Sequence, residues 1–168
     1  MYNTTEGIQM RLFFRLKHHF FGAFRELFVH HHGSLEFRAK VFALIIAANE
    51  DSTIENYILV KDIASRIYKD DKERANLLML TTKEKVKKVK DNNGLDIDTL
   101  VASIQKNLKV IPRYAKKIEI NELQKFLSLT YDEDTLLYQK NILEFLQTLK
   151  EDTLKTTKDE ISLEEKKA

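Results

Sequence analysis

VFALIIAANEDSTIENYILV at positions 41–60 and LQKFLSLTYDEDTLLYQKNI at positions 123–142 carry one pattern twice, 82 positions apart. Val41, Leu44, Ile45 and Ala47 fall on Leu123, Phe126, Leu127 and Leu129. After a short polar stretch, Ile54, Val60 and Ile63 fall on Leu136, Ile142 and Phe145. Apolar residues at three- and four-residue steps form one stripe of a helix. Each copy therefore reads as an apolar helix, an acidic corner and a second apolar helix. The corners hold Glu50 and Asp51 in the first copy, and Asp132, Glu133 and Asp134 in the second. A single helical hairpin cannot bury its own oily face, but two can bury theirs against each other. The spacing predicts an all-α fold, a compact helical bundle with two pseudo-repeated helical hairpins.

Outward from these copies, the same periodicity predicts helices over 35–48, 54–68 and 71–91. Ile54, Ile58, Ile63 and Ile67 are expected on the core side of the second. Asn92-Asn93-Gly94 supplies residues that tolerate the left-handed conformation and ends the third. Asp96 or Asp98 caps a helix reaching Val110. Pro112 opens another to Thr130, and a last one runs from Thr135 to Lys150. Upstream, Phe13, Leu16, Phe20, Phe24 and Leu27 line one face of a helix over 8–29, widened by Phe14, Phe21 and Phe28. This makes about seven helices in all. The chain divides into an aromatic-rich N-terminal helix (1–34), a helical domain (35–150) and a charged tail (151–168) expected to be disordered.

The composition excludes several classes. The 168 residues are one domain's worth. With no Cys there is no disulfide framework, thiolate zinc site or cysteine nucleophile. Four Gly and one Pro leave few breakers. The charge, 28 Lys and Arg against 26 Asp and Glu, does not mark a nucleic-acid partner. The longest apolar run, Val41 to Ala48, is far short of the ~20 residues that span a bilayer. Arg11, Arg15, Lys17, His18 and His19 interrupt any secretory pattern. A cytoplasmic protein is expected, with peripheral contact at the inner membrane as the alternative.

At Ala48-Asn49-Glu50-Asp51-Ser52-Thr53-Ile54 and Thr130-Tyr131-Asp132-Glu133-Asp134-Thr135-Leu136 the chain resembles the TerB-like family, the tellurite-resistance helical domain also found beside J domains in membrane-anchored co-chaperones. That family has two pseudo-symmetric halves, each with a loop of the form Ala-Asp-Gly-x-Ile between helices. Leu95-Asp96-Ile97-Asp98-Thr99-Leu100 looks like its central helix start. The likeness spans residues 35–150. Neither corner keeps the Gly, and Tyr57 and Gln139 stand where the family places a Glu. No His-Pro-Asp tripeptide occurs, so J-domain activity is not encoded here. The resemblance implies a stress-related module with its two corners close in space.

Three groups could carry chemistry. Glu50, Asp51, Glu55, Asp132, Glu133 and Asp134 offer the hard oxygen ligands that Ca²⁺ or Mg²⁺ prefers; the competing reading has them capping helix N-termini. All five His (His18, His19, His30, His31 and His32) lie in one segment, but on a helix the two clusters stand about 18 Å apart and cannot share an ion. The N-terminal helix, with Phe13, Phe20, Phe24 and Phe28, suits a protein partner, a homodimer or a membrane surface. The run Lys83, Lys85, Lys87, Lys88 and Lys90 reads as a solvated helix face.

No Gly-rich phosphate loop and no Gly-x-Ser-x-Gly occur. The expected function is a non-enzymatic interaction or sensor module with weak divalent-cation binding at the corners. The alternative is a membrane-surface or docking adaptor built on the first helix.

Overall fold

Residues 41–47 have no polar side chain on any face, and a helix apolar all round must be enclosed. The computed structural model describes residues 33–69 and 71–165, and there the helix α1 (33–47) is buried on every side from Val41 to Ala47. Around it run α2 (Ile54–Ile67), α3 (Lys72–Lys90), α4 (Ile97–Val110), a 3-10 helix (Pro112–Lys117), α5 (Ile120–Leu123), a second 3-10 helix (Gln124–Leu129) and α6 (Glu133–Glu165). Every regular element among the described residues is helical, and the fold is all-α as the spacing predicts. None of these helices is long and apolar enough to cross a membrane. The predicted helix over 8–29, with Phe13, Phe20, Phe24 and Phe28, lies outside the described residues, as do His18, His19 and His30 to His32.

Phe37, Leu44, Ile45 and Ile46 of α1 are fully buried together with Ile63, Leu78, Leu100, Ile104, Ile118, Leu123, Phe126 and Leu146. Each such side chain contributes roughly 1.5–3 kcal/mol by leaving water. Two aromatic pairs fix the packing of α1. Phe37 meets Tyr114 with ring centroids 5.1 Å apart, and Phe42 meets Phe126 at 5.9 Å.

The helix ends follow local chemistry. Asp71 accepts from the Arg74 amide at 3.0 Å, Asp96 from Thr99 at 2.6 Å and Asp132 from Thr135 at 2.8 Å, so each carboxylate takes one of the first-turn N–H groups that has no helical partner. At the end of α3, Asn92 has φ +50°; the Asn93 amide donates to the Lys88 carbonyl and the Asn92 amide to that of Val89. This is a Schellman closure with Asn, not Gly, in the left-handed place.

Three expectations are corrected. The single helix over 112–130 is instead two 3-10 segments flanking one turn of α-helix, because Ile118 is extended and Glu119 is also non-helical. That kink turns Tyr114, Ile118, Leu123 and Phe126 all inward, which one straight helix could not do. The Ile118 carbonyl left free at the kink accepts from the Lys150 ammonium at 2.8 Å.

The tail expected to be disordered from Glu151 continues α6 through Glu165. It contains no Gly or Pro, and Leu149, Thr153, Thr156 and Thr157 line a groove with Leu108, Lys109 and Pro112. Finally, α2 turns Asn56, Val60, Ile63 and Ala64 to the core and leaves Ile54 and Ile58 exposed.

Candidate functional site

The corner after α1 and the corner before α6 meet. The buried Asn49 side chain donates from Nδ2 to Thr130 Oγ1 at 3.2 Å. Thr130 Oγ1 donates in turn to Gln139 Oε1 at 2.8 Å, and Gln139 Nε2 donates to the Ile45 carbonyl at 2.9 Å. Gln139 is fully buried. Its amide therefore satisfies a carbonyl in the last turn of α1 that has no helical partner, and fixes the second corner against the first. Asn49 also accepts the Asp51 amide at 2.9 Å, which shapes the first corner itself.

Where these corners join α3 and α4 there is an open cleft of about 700 Å³. Glu50, Lys90, Asp134 and Tyr138 are its polar walls; Ala47, Ala48, Val89 and Ile97 are apolar ones. The Lys90 ammonium donates to the Glu50 carbonyl at 2.8 Å and to the Ser52 hydroxyl at 2.6 Å, crossing from α3 to the first corner. Burial pulls its pKa down, and the charges of Asp51 and Glu50 oppose that shift. Exposed apolar side chains belong to the same corners: Ile54 and Ile58 on α2, and Tyr131, Leu137 and Tyr138 at the start of α6.

The six carboxylates named from the sequence separate here. Glu50 and Asp134 share the cleft. Asp132 is the cap of α6, and the Thr135 amide holds its carboxyl below the ordinary aspartate value. Glu55 accepts from the Thr53 hydroxyl, which lowers its pKa and removes Thr53 from capping α2. Asp51 is exposed, and Glu133 lies in the first turn of α6. Among the described residues no three carboxylates or imidazoles form a group that could hold a metal ion. In the lysine run Lys87 and Lys88 are solvated and pair locally with Asp91 and Glu84, whereas Lys85 is part-buried and pairs with Glu36 of α1.

Reading the sequence missed Gln139, Asn49 and Lys90. Gln139 was legible only as a departure from the family pattern, and Asn49 only as part of a polar loop. Lys90 belonged to a run of which Lys83, Lys87 and Lys88 face water.

The fold and this cleft define an all-α bundle with a polar recess at one end. No family model, curated protein or solved structure matches the chain.

Proposed function

We propose that the protein is a non-enzymatic, TerB-like interaction module whose recognition surface is the end of the bundle that carries the two acidic corners. The observation supporting this reading is the buried Gln139–Thr130–Asn49 relay, which holds both corners in one arrangement before any partner arrives. A prepaid geometry lowers the ordering cost of binding. The rim suits a protein surface: Tyr131, Leu137, Tyr138 and Ile54 are exposed around charged groups, and aromatic anchors of this type dominate protein interfaces. A divalent cation would meet Glu50 and Asp134 in the cleft and bind weakly through them. A role in stress response follows from the TerB-like motifs.

The test is a photocrosslinking side chain in place of Tyr138, with an identical one in place of Glu160 on the far part of α6 as control. A discrete protein adduct from position 138 that is lost in Glu50→Lys and Asp134→Lys supports the reading. Equal labelling from both positions overturns it. Flotation of the chain with phosphatidylserine vesicles, with no adduct from position 138, would favour the N-terminal adaptor reading instead.

A further inference from the structure

The cleft at the acidic corners joins two kinds of surface. Ala47, Ala48, Val89 and Ile97 give it an apolar lining, and the Tyr138 ring, 44% exposed, adds to it. Its volume of about 700 Å³ lies within the range of roughly 300–1,000 Å³ that ligand pockets occupy. Apolar surface left open in a concave place gains free energy when a partner covers it.

Charge decides what kind of partner that is. The walls carry Glu50 and Asp134 against Lys90. The Lys90 ammonium donates to two neutral acceptors, the Glu50 carbonyl at 2.8 Å and the Ser52 hydroxyl at 2.6 Å. Among the described residues, no cation forms an ion pair with Glu50 or Asp134. The surrounding field has the same sign. Two positions of chain span at most about 7 Å, less than the Debye length of about 8 Å at physiological salt. Within that reach of a lining residue, Lys87 and Lys88 are taken up by Asp91 and Glu84. Asp51, Asp96, Asp98, Asp132 and Glu133 then stand against Lys140. The helix ends cancel, because α1 and α3 end at the cleft while α4 and α6 begin there. Seven carboxylates against two ammonium groups leave an excess of five negative charges. Among the described residues no three of the carboxylates group tightly enough to hold a metal ion, so this charge is spread over the cleft and not focused on a point.

We propose that the cleft takes a basic segment of a partner protein, with a lysine or arginine side chain against Glu50 and Asp134 and an apolar side chain of the same segment against Val89, Ile97 and Tyr138. The inference rests on the reading of this end as the recognition surface and adds the chemistry of the partner. A basic side chain carries its charge on an apolar stem, which suits a lining of both kinds. Hydrogen bonds from such a cation to a carboxylate are about twice as strong as neutral ones. A negative field also speeds the encounter with a basic segment and rejects an acidic one.

Amide chemical shifts of the full ¹⁵N-labelled chain, titrated with a short peptide of arginine, leucine and glycine, test it. The comparison probes are a peptide with glutamate in place of each arginine, a peptide with serine in place of each leucine, and spermidine. Saturable shifts at Glu50, Val89, Ile97 and Thr135 are expected with the arginine–leucine peptide and none with the glutamate peptide. The serine peptide and spermidine should each bind about tenfold more weakly. Glu50→Gln and Asp134→Asn, both at exposed positions, should each weaken the first peptide about three- to fivefold, and Glu160→Gln should leave its binding unchanged. Linear shifts, saturation centred on another face, equal binding of the glutamate peptide or of spermidine, or binding untouched by both cleft variants would each overturn the inference. It fails alone when position 138 still yields its charge-sensitive adduct while the arginine–leucine peptide is inert; absence of both removes the recognition surface as well.

Discussion

The side-chain amide of Gln139 on α6 donates to the main-chain carbonyl of Ile45 on α1, 2.9 Å away across 94 positions of sequence. The bond lies in a dry interior, where a polar group without a partner costs far more than a satisfied one contributes. The amide oxygen of Gln139 accepts from the Thr130 hydroxyl, so one residue joins the last turn of α1 to the loop that precedes α6.

Gln139→Leu keeps the volume but strands the Ile45 carbonyl and the Thr130 hydroxyl. It should destabilise the protein by about 2–4 kcal/mol. Thr130→Val removes the middle of the relay and should cost less, about 1–2 kcal/mol. Urea unfolding of both variants checks the order; a larger loss in Thr130→Val would show that Gln139 is not the centre of the relay.

Phe126→Ala opens a cavity facing Phe42 and should cost about 3–5 kcal/mol. Leu163→Ala, at an exposed position of α6, should stay within about 0.5 kcal/mol of the parent. Thermal unfolding of the pair measures the contrast between an enclosed and a solvated apolar side chain.

Asp96 and Asp132 are both held below the ordinary aspartate value of 3.8, chiefly by the backbone amides of Thr99 and Thr135 that each caps. A carboxyl with a depressed folded pKa stabilises above its unfolded value and loses that contribution as pH falls through the folded one. The melting temperature should therefore decline as pH falls below about 4. The double variant Asp96→Asn, Asp132→Asn should show a shallower acid limb, since Asn still caps but does not titrate. An unchanged limb would place the acid sensitivity in other carboxylates.

Thr156→Pro interrupts α6 at an exposed position on the rim of the groove shared with Leu108 and Pro112. Far-UV circular dichroism should lose the helix signal of the segment up to Glu165, while the urea midpoint of the bundle moves by less than about 0.5 kcal/mol equivalent. A large drop in midpoint would mean that the groove against Leu108 and Pro112 supports the bundle.

Much of the helical framework was legible because its signals are local. The three- and four-residue apolar steps in 41–47, the cap at Asp96 and the left-handed stop at Asn92-Asn93-Gly94 each act within one or two turns, while the caps at Asp71 and Asp132 were seen only in the structure. The kink at Ile118 was not legible. It exists because Tyr114, Ile118, Leu123 and Phe126 must all reach a core built by distant helices. The outward turn of Ile54 and Ile58 has the same origin: α2 is rotated by what packs on it, so buried Asn56 occupies a place that hydropathy alone would give to an isoleucine. The continuation of α6 was hidden by its charge, although its residues are good helix formers.

The chain's own order of residues settled that the protein is helical, where most helices begin and end, and that two acidic corners separate paired apolar segments. Those outcomes depend on hydrogen bonds and stripes that close within a few residues. Only the tertiary structure decided that Asn49 and Thr130 would touch and that Glu50, Lys90 and Asp134 would share one cleft. Each of those groupings joins residues tens of positions apart. No local rule chooses a partner at that range; it is selected by how all the buried faces close on α1 at once.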